Sequence, residues 1–203
     1  MVTINIGQSM KDIKDSDWLV NWLIKPFLWN KERWSNQTAK YWTPSQKRPV
    51  PTFNTPEDLA RFMMDKFVYV PDPLTWDFYT HPEVTQFFYE TNQQKVMSKD
   101  CDDYACYACK ALRGMGWSKD KVTVVTIATN FIPNLAEIRW CHVLCVFDYS
   151  KNGQDYKAVI DTNNLTLFYA GPDVEDRIKT YFGKLYRTEY KYYIDHGYPF
   201  DED

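Results

Sequence analysis

The sequence predicts an α+β body in which one cysteine-bearing helix packs on an antiparallel sheet. Three observations carry that prediction. Cys101, Ala105, Ala108 and Leu112 recur at helical spacing behind an acidic start. Four β-rich runs follow, over 122–129, 137–149, 157–161 and 165–169. Between the second and third, Asn152-Gly153 is a strong two-residue hairpin turn, which makes those two runs antiparallel neighbours.

The elements come in this order along the 203 residues. Residues 1–50 form a Trp-rich extension. Asp15-Ser16-Asp17 caps a helix starting near Trp18, with Leu19, Trp22 and Leu23 at helical spacing and Pro26 ending it. Trp29, Trp34 and Trp42 continue the aromatic bias, either to dock the extension on the body or to offer an interface to a protein partner. Pro49-Val50-Pro51 marks a junction, and the main domain runs over 51–195. Thr55-Pro56-Glu57-Asp58 starts a helix, with a capping hydroxyl, proline in the first turn and acids at the positive end of the dipole. Leu59, Phe62, Met63 and Phe67 give it an apolar face. Prolines punctuate a loop over 68–82, and a helix is expected over 83–90. The helix over 101–113 stops at Gly114-Met115-Gly116, and its small residues let it press closely on a sheet. Asp173 caps a helix through Ile178 to Phe182 that should stop at Gly183, and 186–194 reads as an edge strand. Residues 196–203 read as an acidic tail ending in Asp201-Glu202-Asp203.

Composition excludes some functions. Net charge is −3, from 24 basic and 27 acidic residues with no basic stripe, so no nucleic-acid partner is expected. No apolar run reaches the roughly 18 residues of a membrane span, so no membrane role is expected. The N-terminus lacks a basic segment followed by an apolar core, which implies no secretory signal and a cytoplasmic protein. The five cysteines, an odd number, read as reduced thiols. Cys106 and Cys109 have the gap of many zinc sites. Cys141 and Cys145, however, stand about 13 Å apart along a strand, too far for one tetrahedral ion. These four read as small buried apolar residues.

Cys101, His142 and Asp161 carry the chemistry. A thiolate at a helix N-terminus gains from the dipole, an imidazole takes its proton, and a carboxylate orients the imidazole. The Asn152-Gly153 turn pairs Lys151 with Gln154 and so sets Asp161 opposite Leu144, on the face His142 shares. The two are then diagonal neighbours, about 7–8 Å apart between backbones. The same alternation puts Cys141 and Cys145 on the other face, away from that chemistry. His81 precedes a proline and His196 a glycine, both read as surface positions. Asp100, Asp102 and Asp103 oppose the thiolate by like-charge repulsion.

The run Asp100-Cys101-Asp102-Asp103-Tyr104-Ala105, with the helix and Gly-x-Gly-Trp after it, resembles the nucleophile motif of the transglutaminase-like superfamily, in its bacterial and phage cysteine-peptidase group. His142 before Val-Leu and Asp161 before Thr-Asn are similar to its later two motifs, and Phe67-Val-Tyr69…Asp72-Pro73 to its lead-in. The resemblance covers about 55–170, with Lys99 where a glycine is usual. It implies a papain-like fold and cysteine chemistry on a protein or peptide substrate: hydrolysis, deamidation or acyl transfer to an amine. Cys101 would be nucleophile, His142 general base then acid, and Asp161 the orienting group. The Cys101 amide, aided by Gln94 or Gln93, would hold the oxyanion. No cofactor is required. Some bacterial relatives hold calcium with acids flanking the cysteine, which makes Asp100 and Asp102 candidate ligands, although both also suit a solvated helix cap. The alternative is a non-catalytic interaction or virion-structural protein keeping this fold, phage-encoded and using residues 1–50 for a partner. A zinc-stabilised module is a third reading.

Overall fold

The computed structural model describes residues 43–70, 80–94, 100–129, 141–162 and 164–200. The helix expected near Trp18, the Asp72-Pro73 segment, Lys99 and the terminal acids lie outside the described residues. The described elements are helix α1 (Pro56–Lys66), α2 (Pro82–Glu90), α3 (Cys101–Gly114), strands β1 (Val122–Ala128), β2 (Cys141–Lys151), β3 (Gln154–Ile160) and β4 (Leu165–Tyr169), helix α4 (Val174–Tyr186) and strand β5 (Tyr192–Asp195). The strands form one antiparallel sheet in the order β4-β3-β2-β1-β5.

Local chemistry sets the boundaries. Thr55 accepts the Asp58 N–H at 3.1 Å, capping α1 with Pro56 in its first turn. Pro82 opens α2 in the same way, one residue before the expected start. Asn152 and Gly153 both take positive φ, 55° and 76°, the pair of angles a tight hairpin turn needs. The turn imposes the expected register, from Lys151↔Gln154 through Cys145↔Ile160.

Alternation along the strands splits the core in two. Val122, Val124, Val143, Cys145, Phe147, Ala158 and Ile160 face α3 and α1. Ala105 and Ala108, both fully buried, let α3 lie close on that face. Phe67 meets the Tyr107 ring edge-on at 4.7 Å, and the Tyr107 hydroxyl donates to Gln86 at 2.6 Å, joining α1, α2 and α3. The opposite face, with Val125, Ile127, Leu144, Val146 and Val159, is covered by Ile178 and Phe182 of α4. Fully burying each such aliphatic or aromatic side chain contributes about 1.5–3 kcal/mol.

Three expectations need correction. Helix α4 does not stop at Gly183; it runs one turn further and ends at Arg187, whose φ is 54°. Gly183 serves another purpose, since an added Cβ would sit 2.7 Å from the Thr188 carbonyl oxygen. The edge strand is therefore shorter than 186–194, and Tyr186 belongs to α4. Residues 196–200 pack on the body: the Val124 N–H donates to the Gly197 carbonyl at 3.0 Å, and Phe200 is buried against the α3 side of the core. Among the described residues no helix is long and apolar enough to cross a membrane.

Candidate active site

Cys101 is the first residue of α3, so its N–H is one of the orphan donors of a helix start. The residue as a whole is half-buried. Its thiol accepts a hydrogen bond from the Val143 backbone N–H of β2, which favours the thiolate. That help is outweighed. Burial pushes the thiol well above 9.0, and the charges of Asp102 and Asp100 add to the effect. The cysteine is thus held protonated at neutral pH.

The acidic group beside it is part of the helix start. Asp103 accepts the Asp100 N–H at 3.3 Å and also the Thr80 N–H, tying the entry to α2 onto the start of α3. Asp102 accepts the Asp103 N–H at 3.0 Å. The expected solvated cap needs revision, because Asp102 is only 2% exposed and Asp103 1%. Asp100, Asp102 and Asp103 each present an oxygen within 4.8 Å of the others, a hard donor set of the kind calcium takes. Both Asp103 oxygens are already engaged with backbone N–H groups, so the fit falls mainly to Asp100 and Asp102.

His142 and Asp161 come together as the hairpin register requires. Asp161 follows β3 directly, and its Oδ2 lies 3.5 Å from His142 Nε2. Its Oδ1 accepts the Asn164 N–H at 2.8 Å, while the Tyr186 hydroxyl donates to Oδ2 at 2.9 Å. The Tyr186 ring stands 4.6 Å from the imidazole, and the Phe182 ring 5.8 Å. The imidazole therefore packs under α4, on the sheet face opposite α3.

That placement corrects the expectation for the cysteines. Cys145 lies on the α3 face, the face of Cys101, and Cys141 lies close enough to Cys101 for its charge to raise the thiol further. The structure joins His142 to Asp161, and Cys101 to the amide of Val143, the residue next to His142. All three groups sit at one end of β2, with the imidazole and the thiol on different faces. Parity fixed which residues share a face; which helix covers that face was not encoded in it.

The glutamines take other roles. Gln94 accepts the Val68 N–H at 3.0 Å and donates to the Lys66 carbonyl at 2.8 Å, clamping the chain that leaves α1. Gln93 is exposed, and its N–H closes the turn after α2 on Phe88. These hydrogen bonds lie at the exit of α1 and in the turn after α2. Tyr186 is the site residue that sequence reasoning missed, because the 186–194 run looked like a strand. Tyr190 was missed for the same reason; burial and then the charges of Cys101 and Cys141 push its hydroxyl up to about 12.

Three structures of LapG from Legionella pneumophila align with the chain at 17% identity. The EGTA-treated form and a second LapG structure each give a TM-score of 0.39, covering 68% of this chain and 74% of LapG. The calcium-bound form gives 0.40, covering 71% and 80%. Likeness at this level assigns neither chemistry nor a metal, both of which rest on the geometry above. No family model and no curated protein matches the chain.

Proposed function

We propose that the protein performs cysteine-dependent chemistry on peptide or carboxamide bonds. Cys101 is the nucleophile, His142 the general base and then acid, and Asp161 the group that orients the ring. The observation that carries the reading is the buried His142–Asp161 pair, 3.5 Å apart, one residue along β2 from the amide that holds the Cys101 sulfur. With Nε2 turned toward Asp161 at 3.5 Å, short of a hydrogen bond, Nδ1 would be the nitrogen to exchange a proton with the thiol. Because the thiol rests protonated, the base must take its proton as the sulfur attacks, which requires the imidazole to turn from α4 toward the start of α3. The Cys101 N–H would then face the developing oxyanion. Asp100 and Asp102, with Asp103 beside them, would hold a calcium ion, which would offset the negative charge that raises the thiol.

The second reading is a non-catalytic interaction protein on the same framework. The imidazole's position under α4 and the protonated thiol favour it. One experiment separates the two. The full chain is mixed with p-nitrophenyl acetate, and acetyl transfer to sulfur is followed by nitrophenol release and intact mass. The catalytic reading expects one acetyl on Cys101, none in Cys101→Ala, and a rate at least about 100-fold lower in His142→Ala. Equal acetylation of Cys101 in the wild type and His142→Ala would leave only the non-catalytic reading. Repeating the assay in calcium and in EGTA tests the acidic group: an unchanged rate removes calcium from the proposal.

A further inference from the structure

Four of the five cysteines lie along the seam between α3 and β2. Cys101 and Cys109 are eight residues apart on α3, about 12 Å at ~1.5 Å per residue. Cys141 and Cys145 are four apart on β2, about 13 Å at ~3.3 Å per residue. These near-equal spans give two rungs, an outer one of Cys101 with Cys141 and an inner one of Cys109 with Cys145. In the inner rung the two sulfurs are 3.2 Å apart, and both residues are fully buried free thiols. A disulfide needs about 2.05 Å between sulfurs, so closure requires a relative movement of about 1.2 Å.

We propose that Cys109 and Cys145 form a disulfide that staples α3 to β2, made by exchange with a low-molecular-weight disulfide such as oxidised glutathione. In the first exchange the Cys109 thiolate attacks a glutathione sulfur; a Cys109–glutathione bond forms and one glutathione thiolate leaves. In the second, the Cys145 thiolate attacks the Cys109 sulfur and releases the other glutathione. Two protein thiols are oxidised, one glutathione disulfide is reduced, and the two protons go to the released thiolates. Burial and the neighbouring Cys145 hold the Cys109 thiol protonated in the closed seam. Exchange therefore runs while the seam is open, during folding or local opening. Once closed, the same burial shields the bond from reductants. The bridge spans 36 residues, including all of β1, and should raise the thermal midpoint by about 10 °C.

To test this, the full chain is refolded in a buffer of oxidised and reduced glutathione, quenched with acid, alkylated in denaturant and digested with trypsin. The relevant peptides span 100–110 and 140–151, and each holds more than one cysteine, so fragment spectra must assign the link. The expected result is a Cys109–Cys145 bond and a raised midpoint that reductant reverses only in denaturant. Cys106→Ala keeps both effects, whereas Cys109→Ala and Cys145→Ala each lose them. Alkylation of all five cysteines, or a bond mapped only to Cys101–Cys141, overturns the proposal.

Discussion

Replacing Tyr186 with phenylalanine isolates one hydrogen bond in the His142–Asp161 site. The ring stays, with its 4.6 Å approach to the imidazole and its stacking on Phe182 at 6.2 Å. What goes is the hydroxyl that donates to Asp161 Oδ2 at 2.9 Å. Asp161 is only 4% exposed, so water cannot easily replace the lost donor. A hydrogen bond to a buried carboxylate contributes about 1.5–3 kcal/mol. With a urea slope of about 2 kcal/mol/M, the unfolding midpoint should fall by about 1 M. Tyr181→Phe, an exposed position on the same helix, serves as control and should move it by less than about 0.3 M. A cycle with Asp161→Asn should show coupling of about 1–2 kcal/mol. A Tyr186→Phe midpoint no lower than that of the control would refute the assignment of this hydroxyl to Asp161.

Gly183→Ala should destabilise by about 1–3 kcal/mol in the same urea melts, although alanine is the better helix former, because its methyl would meet the Thr188 carbonyl. His81, expected at the surface, is instead partly buried, and its imidazole is held down to about 4, by burial first and then by Lys47 and Lys110, against 6.5 for the free side chain. Its contribution is therefore complete above pH 6.5 and lost as pH falls through about 4. His81→Asn, which keeps a capping side chain, should flatten the stability profile there by about 2–3 kcal/mol. Alkylation of Cys101 by iodoacetamide should rise about tenfold per unit between pH 7 and 9 without a plateau, since its thiol lies well above 9.0. A plateau near pH 7 would show a thiolate that this arrangement does not support.

Much of the architecture was legible because it rests on short-range rules. The Thr55 cap, the Asn152-Gly153 turn and the Cys101–Leu112 repeat each act within a few residues, and each appears where the sequence placed it. The pairing of His142 with Asp161 was legible for the same reason, since turn and parity suffice to fix it. The end of α4 was not, because Gly183 is explained by the Thr188 backbone folding back on it, a contact that exists only in three dimensions. The face on which α3 lies was likewise invisible. Cys141 and Cys145 look equivalent to any small apolar strand residue until the helix is laid beside them. The role of Gln94 depends on the path of the chain leaving α1, which local spacing does not describe.

The two-residue turn at Asn152-Gly153 also restricts how a chain built on this plan can change length. Adding or removing one residue there would swap the two covered faces along all of β3, carrying Lys157 and Val159 together from the α4 layer to the α3 layer. It would also carry the Asp161 carboxylate away from His142. Changes of two residues keep the parity, so length variation at this hairpin should come in even steps, while the exposed side chains around it remain free to vary.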